Sequence, residues 1–206
     1  MRGAGRIRCA LCKTESRCRD LADGPFSAAA VLDASPYLKV RVETIELPDG
    51  RRIPDYYQLE MPSFACIFAE TREGLIIVYR QYRHGPRRVG LVFPGGHLEP
   101  GEAPLHAAQR ELLQETGFES EAWTYLGGFV VNANQGGGVS HMFHATSCRR
   151  TGSPRSDDLE ETEILLLSHD ELLAAIGRGE IHLLTRLALV GIVWQKDIAN
   201  ALCGKT

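Results

Sequence analysis

Two glutamates four residues apart, Glu111 and Glu115, have the spacing in this sequence that most directly indicates chemistry. On a helix they lie on one face, one turn apart, with Cβ atoms roughly 5–6 Å from each other. Because like charges at this spacing repel, the pair destabilises the helix unless something neutralises it. A hard divalent cation such as Mg²⁺ binds carboxylate oxygens, while waters and substrate phosphates complete its shell. The spacing therefore indicates a metal-binding face, although a solvated helix face is the commoner reason for such a pair.

The neighbouring residues are of the types that a metal-binding face needs. Arg110 precedes the pair and can hold a carboxylate through its fork-shaped guanidinium, and Glu102 lies just before the helix and can reach its first turn. Gly95 and Gly96 allow the backbone to approach an ion closely. We expect the opposite, apolar face of the helix to pack into the core through Leu105, Ala108 and Leu112.

The segment that contains these residues resembles the Nudix box, G-x5-E-x7-R-E-U-x-E-E-x-G-U, in which U is a bulky apolar residue. The matching positions are Gly96, Glu102, Arg110, Glu111, Leu112, Glu115, Gly117 and Phe118. Gln114 departs from the pattern, because it stands where the first glutamate of an adjacent pair usually lies. A match at so many spaced positions favours the metal-binding interpretation over a solvated face.

The resemblance extends to the ADP-ribose pyrophosphatase branch of the Nudix hydrolases over residues 36 to about 198. It is carried by Gln81-Tyr82-Arg83, Phe93-Pro94-Gly95-Gly96, Gly101-Glu102 and the turn at Leu47-Pro48-Asp49-Gly50. This branch implies an α/β fold, namely an α/β/α sandwich with a mixed β-sheet and a β-rich N-terminal arm. It also implies hydrolysis of ADP-ribose, or of a related nucleoside diphosphate sugar, to a nucleoside monophosphate and a sugar phosphate. Since the branch dimerises through its N-terminal strands, a homodimer is expected.

The resemblance also implies a set of metal ligands. These are the carboxylates of Glu111 and Glu115 and the backbone carbonyl of Gly95. Mg²⁺ is the expected ion, with Mn²⁺ as an alternative. Because Gln114 offers only a neutral carbonyl oxygen, the number of bound ions stays open.

Catalytic roles are implied for four further residues. In this branch the general base comes from a loop after the box, which here points to Glu160 or Glu161. Either residue could instead belong to an acidic, solvated loop edge. Arg110 and Glu102 complete the catalytic set, because they lie in the box and can orient its carboxylates.

Substrate contacts are expected from four residues outside the helix. Arg83 is assigned to a phosphate by its place in the Gln-Tyr-Arg triplet, and Arg52 lies in the basic N-terminal hairpin. Tyr82 could stack on a base, although a sheet tyrosine is more often packing. His97 lies inside the box and could line the site.

Hydrophobic periodicity predicts the elements that position these residues. Strands are expected from residue 38 onward and over 52–60, 64–69, 75–82, 122–131, 139–147 and 163–167. Helices are expected over 103–116 with Gly117 as C-cap, from a capping box at 168–171 to Gly177, and over 182–199. The segments 83–101 and 132–138 have the composition of loops. This order predicts one domain over 36–206 with helices on both faces of a mixed sheet.

Composition excludes several classes of partner. Hydrophobic residues make up 44% of the 206 and charged residues 24%, which is typical of a soluble globular protein and not of a disordered or collagen-like chain. A net charge of −3 provides no large basic field for nucleic acid. The longest apolar stretch, Ile181–Trp194, is interrupted by polar residues and too short for a membrane span. We therefore expect no nucleic-acid or membrane partner.

The six cysteines are expected to be reduced thiols in a cytoplasmic protein, because a chain of this size needs no disulfides. Cys66 lies in an apolar run and should be buried. Cys9, Cys12 and Cys18 have part of a zinc-ligand spacing but lack a fourth ligand at the usual distance. Residues 1–35 are therefore interpreted as a loosely ordered N-terminal tail.

Two other functions remain open at this point. The same fold and metal could act on a different nucleoside diphosphate derivative, because the box recognises only the pyrophosphate. Alternatively, the domain could bind a nucleotide without cleaving it. Gln114 supports that second hypothesis, whereas the retained Arg110, Glu111 and Glu115 weigh against it.

Overall fold

The computed structural model of the protein describes residues 28–155 and 162–195. The strands in these ranges are β1 (Ala28–Ala34), β2 (Leu38–Glu46), β3 (Arg52–Glu60), β4 (Phe64–Thr71), β5 (Ile76–Arg83), β6 (Arg88–Val92), β7 (Phe118–Glu119), β8 (Ala122–Asn132), β9 (Gly136–Arg150) and β10 (Glu163–Leu167). The helices are α1 (Pro104–Thr116), α2 (His169–Gly177) and α3 (Leu184–Trp194). The predicted tail up to residue 27, the loop with Glu160 and Glu161, and the predicted helix end beyond residue 195 lie outside the described residues.

The strands form one mixed sheet, as the sequence predicts. Its order is β1-β2-β3-β9-β4-β5-β10, while β6 pairs with β5, and β7 and β8 pair with β9. β4 and β9 run parallel from Phe64–Ser140 to Thr71–Cys148, and β3 meets β9 in parallel at Leu59–Gly136. The other pairings are antiparallel. Strands β1–β3 form the expected β-rich arm at one end of this sheet.

Alternation along β4 separates two layers of core. Successive side chains of a strand point to opposite faces. Ala65 and Ile67 pack on the layer that contains α1, whereas Cys66 and Phe68 pack on the layer that contains α2 and α3. Since helices cover both faces, the predicted α/β/α sandwich is confirmed, and so is the burial of Cys66.

The helices agree with the expected boundaries in part. α1 ends at Gly117, which adopts the left-handed conformation, and α2 begins with the predicted capping box between Ser168 and Glu171. α3 begins two residues later than the predicted start at residue 182, and it ends at Trp194 with Gln195 as C-cap, before the predicted end at residue 199. One expectation about α1 is wrong: Ala108 and Leu112 are buried, but Leu105 is exposed near the start of the helix.

Several strands differ from the sequence prediction. β6 lies inside the segment interpreted as a loop, because five residues between Pro- and Gly-containing stretches are too few for a periodic signal. β1 lies inside the expected tail, where it pairs antiparallel with β2. The predicted loop over 132–138 is shorter than expected, since Gly136, Gly137 and Gly138 belong to β9.

The sheet opens at the start of β4. β4 pairs with β5 at Ala69 and Glu70, near its far end. At its near end the amides of Ala65 and Ile67 donate instead to the carbonyl oxygens of Gly96 and Pro94, at 2.8 and 2.9 Å. The segment Pro94–Gly96, which follows β6, therefore takes the place of a strand between β4 and β5. This insertion brings Gly95 and Gly96 against α1.

No helix in the described ranges is long and apolar enough to cross a membrane.

Glu70 at the end of β4 joins three elements. Its carboxylate accepts hydrogen bonds from Nε2 of His144 on β9 and, at 3.0 Å, from Nε2 of His169 on α2. The ring of His169 stacks on Trp194 of α3. The hydrogen bond from His144 lowers the pKa of Glu70 below its usual value of 4.5, against an opposing effect of burial. The carboxylate therefore stabilises the fold while it is ionised.

We expect Glu70→Gln to lower the free energy of unfolding at pH 7 by about 1–2 kcal/mol, because a charged acceptor is replaced by a neutral one. A carboxyl with a depressed folded-state pKa stabilises the protein above its unfolded pKa and loses that contribution as pH falls. The difference between wild type and variant should thus shrink as the pH falls below about 4.5. Urea unfolding from pH 7 to pH 3 measures it, with the exposed Glu121→Gln as control. An unchanged difference down to pH 3 would contradict the assignment.

Candidate active site

A cavity of about 790 Å³ opens beside the inserted segment. Its wall is built from that segment, one face of α1, the end of β5, the first turn of α3 and the turn between β1 and β2. Six residues predicted from the sequence meet at this wall: Gly95, His97, Arg83, Arg110, Glu111 and Glu115. The two glutamates thus face one cavity from consecutive turns of α1.

Glu115 is the more deeply placed of the two, with 9% of its surface exposed. Its Oε2 accepts a 2.7 Å hydrogen bond from the Gly95 amide, and its Oε1 accepts a 2.9 Å bond from the Tyr79 hydroxyl. Burial raises the pKa of Glu115 to about 7, with a further increase from the charge of Glu111, while the Gly95 hydrogen bond opposes this. A cation in the cavity would favour the ionised form.

Tyr79 and Arg83 extend this contact along β5. Nη2 of Arg83 donates to the Tyr79 hydroxyl oxygen at 3.1 Å, and the guanidinium lies at the cavity wall, where a phosphate contact was expected. Burial raises the pKa of Tyr79, so its hydroxyl stays protonated and donates to Glu115. Sequence analysis missed Tyr79, because a tyrosine in an apolar strand gives no signal that its hydroxyl reaches a glutamate.

Arg110 holds three parts of the site together. Nε and Nη2 donate to the two carboxylate oxygens of Glu102 at 3.0 and 2.9 Å, and Nη1 donates to Glu111 at 2.6 Å. Further bonds reach the His97 carbonyl at 3.0 Å and the Gln114 side chain at 3.2 Å. The guanidinium lowers the pKa of Glu102, and that carboxylate in turn raises the pKa of Arg110. Arg110 therefore orients Glu111, as the sequence predicts, and is fully engaged within the protein.

Neighbouring atoms leave little room for a side chain at Gly95 and Gly96. A Cβ on Gly95, whose φ is 145°, would lie 2.1 Å from the Ala65 carbonyl oxygen. A Cβ on Gly96 would lie 2.5 Å from the Glu111 carboxylate. Gly95 therefore excludes any side chain, whereas a side chain at position 96 would have to displace the Glu111 carboxylate, which occupies the room that Gly96 leaves.

Two predicted substrate residues do not line this cavity. Because side chains alternate along a strand, Tyr82 points to the face of β5 opposite to that of Tyr79 and Arg83. Its hydroxyl lies 3.4 Å from His84 Nδ1. Arg52 is exposed on the β2–β3 hairpin, where it pairs with Glu46 at 3.0 Å. A substrate contact by Tyr82 or Arg52 stays a prediction. His97 is exposed at the cavity wall and contributes its carbonyl to Arg110.

The donors at the cavity suit a hard divalent cation. Glu111 and Glu115 offer only oxygen ligands, and Gly96 leaves the space that the Glu111 carboxylate needs. In residues 28–155 and 162–195, no group of three or more His, Cys, Asp and Glu side chains is arranged around a metal position. Mg²⁺ commonly binds through one or two carboxylates together with waters and substrate phosphates, so two glutamates are sufficient.

Comparison with known families agrees with this geometry. The NUDIX domain model matches residues 59–187, which is more than half of the chain. The model of the nucleoside diphosphate sugar hydrolase N-terminal domain matches residues 31–59, which include most of β1–β3. The chain therefore belongs to the Nudix family.

Similar proteins carry related names. The chain is 29% identical over 142 residues to an ADP-ribose pyrophosphatase of Bacillus subtilis, covering 68% of this chain and 76% of that one. It is also 29% identical over 146 residues to the methanol dehydrogenase activator of Bacillus methanolicus, covering 70% and 78%. The fold matches a crystal structure of an ADP compounds hydrolase with a TM-score of 0.71 at 19% identity, over 83% of this chain and 92% of the other.

Gly96→Ala should displace the Glu111 carboxylate and weaken divalent-cation binding by at least about tenfold, because ligand position controls metal affinity. Mn²⁺ titration followed by electron paramagnetic resonance measures the affinity without any turnover. Gly85→Ala is the matched control, since nothing lies within 4 Å of a Cβ there. Equal Mn²⁺ affinity in the two variants would contradict a role for Glu111 in metal binding.

Proposed function

We propose that the protein is a Mg²⁺-dependent pyrophosphatase that hydrolyses ADP-ribose, or a related nucleoside diphosphate sugar, to a nucleoside monophosphate and a sugar phosphate. The observation that carries this proposal is the meeting of Glu111, Glu115 and the Gly95–Gly96 segment at one cavity wall. The names of the similar ADP-ribose pyrophosphatases support the choice of substrate. Mn²⁺ is an alternative ion, and Gln114 leaves open whether more than one ion binds.

The chemical difficulty lies in the negative charge of the pyrophosphate, which repels a nucleophile. A bound divalent cation would neutralise that charge and make the attacking water more acidic. Arg110 keeps Glu111 in position, and the Gly95 amide and Tyr79 hydroxyl do the same for Glu115. Arg83 would bind a phosphate oxygen, and Glu160 or Glu161 would accept the proton of the attacking water.

Glu115→Gln should lower kcat/KM for ADP-ribose by about 100-fold or more, because it removes one anionic ligand of the metal while preserving the side-chain size. Release of AMP from ADP-ribose, measured with and without Mg²⁺, tests this. The exposed Glu121→Gln should retain wild-type activity. Full activity in Glu115→Gln would refute the assigned role.

Two alternatives are decided by further assays of the same preparation. Faster hydrolysis of another nucleoside diphosphate sugar, or of a dinucleoside polyphosphate, would change the substrate but not the mechanism. Tight nucleotide binding without hydrolysis at saturating Mg²⁺ would favour a nucleotide-sensing domain.

We further propose that the protein is a homodimer joined through β1–β3. Val31 and Leu32 on β1 have exposed fractions of 61% and 51%, and Tyr37 in the following turn has 74%. Apolar side chains exposed together on one arm are typical of an interface.

Val31→Asp should shift the protein from dimer to monomer, because a charge in an apolar interface is poorly compensated. Sedimentation velocity gives the distribution. Leu173→Asp on α2, where Leu173 has an exposed fraction of 58%, is the control and should leave the dimer intact. A monomeric wild-type protein would overturn the proposal.

The cytoplasm is the proposed location, supported by the free, buried thiols of Cys66 and Cys148. The proposed partner is the nucleotide-sugar substrate. The net charge of −3 favours neither nucleic acid nor a membrane surface as a partner.

A further inference from the structure

Arg186 in the first turn of α3 is a buried arginine that faces the cavity from the layer opposite α1. It has an exposed fraction of 6%. Its Nη1 donates to the sulfur of Cys66 on β4, and its Nε has no hydrogen-bond partner among the described residues. The side chain thus combines burial, an unused donor and a place in the cavity wall.

The charge of Arg186 lacks a paired anion. No carboxylate of the described residues lies within 4.0 Å of its guanidinium nitrogens. Tyr79 and Glu115 interact with it electrostatically but do not hydrogen-bond to it. The thiol of Cys66 is a weak acceptor, and burial raises its pKa, so it stays neutral. Because a buried, unpaired charge is costly, the site favours an anionic ligand.

A phosphate suits the donors that Arg186 has left. A guanidinium presents several N–H groups in one plane, and these match the oxygens of a phosphate group. Arg110 cannot supply this contact, because its donors are engaged with Glu102, Glu111 and the His97 carbonyl. Arg83 reaches the same cavity from β5. Two cationic side chains therefore flank the cavity, one from β5 and one from α3.

The geometry points to Arg186 as a phosphate-binding residue that holds the diphosphate of a nucleoside diphosphate ligand against Glu111 and Glu115. This inference takes the class of ligand, a nucleoside diphosphate, from the proposed function. It concerns the binding of that ligand, which can be measured without hydrolysis. It assigns to α3 a part in substrate recognition.

The test uses Arg186→Met and Arg186→Lys, with the exposed Arg72→Met as matched control. Binding of ADP without divalent cation, measured by isothermal titration calorimetry, should weaken at least about tenfold in Arg186→Met and less in Arg186→Lys, which keeps a cation but loses the fork. Arg72→Met should bind ADP as wild type does. If circular dichroism shows that Arg186→Met does not fold, the ADP affinity of Arg186→Lys is compared with that of the wild type instead.

A second measurement separates phosphate binding from support of the metal site. Mn²⁺ affinity should stay within about threefold of wild type in Arg186→Lys, since Arg186 hydrogen-bonds to neither glutamate. Weaker Mn²⁺ binding by Arg186→Lys with unchanged ADP affinity would show that Arg186 supports the metal site structurally, and it would overturn the inference. Weaker ADP binding in a protein that hydrolyses no ADP-ribose would support the inference while contradicting the proposed function.

Discussion

The close passage of Gly95 and Gly96 between β4 and α1 is the constraint on which the site depends. A Cβ on Gly95 would clash with the backbone of β4, and one on Gly96 would displace the Glu111 carboxylate, so the backbone itself reaches the helix. The Gly95 amide then bonds to Glu115, the Glu111 carboxylate lies against Gly96, and Arg110 reaches the His97 carbonyl. The local geometry of α1 is therefore set by a segment that is not helical.

Cationic side chains around the cavity divide into two groups by the partners they have. Arg110 is saturated by the protein and fixes carboxylates, which gives it an architectural function. Arg83 and Arg186 make fewer hydrogen bonds within the protein: Arg83 donates to the Tyr79 hydroxyl, and Arg186 donates to the Cys66 sulfur. Donors at a cavity wall that have few acceptors within the protein are available to a ligand. The distribution of hydrogen bonds therefore distinguishes residues that build the cavity from those that can bind within it.

Much of the site was predictable because its residues lie close together in sequence. The i, i+4 spacing and the box motif identify Glu111, Glu115 and Arg110, and the structure brings these residues to one cavity. Tyr79 and Arg186 come from β5 and α3, which are distant in the chain, and the sequence of a largely apolar strand or helix does not show where its polar side chains will point. β6 was missed for a related reason, because its five residues derive their order from pairing with β5.

The fold itself was predictable at the level of layers. Runs of apolar residues and the capping box at Ser168 were sufficient to place helices on both faces. Sequence periodicity does not show that β4 and β5 part at one end, because that opening arises from tertiary hydrogen bonds to Pro94 and Gly96. A site at such an opening is therefore harder to predict from sequence than the strands and helices that surround it.

The two layers of the sandwich meet at this opening. Glu111 and Glu115 belong to the helix on one face of the sheet, and Arg186 belongs to a helix on the other. A cavity whose walls come from both sides exists only when both helical layers are docked. Local fraying of α3 would therefore remove a wall of the cavity while leaving α1 folded, which couples ligand affinity to the local stability of α3.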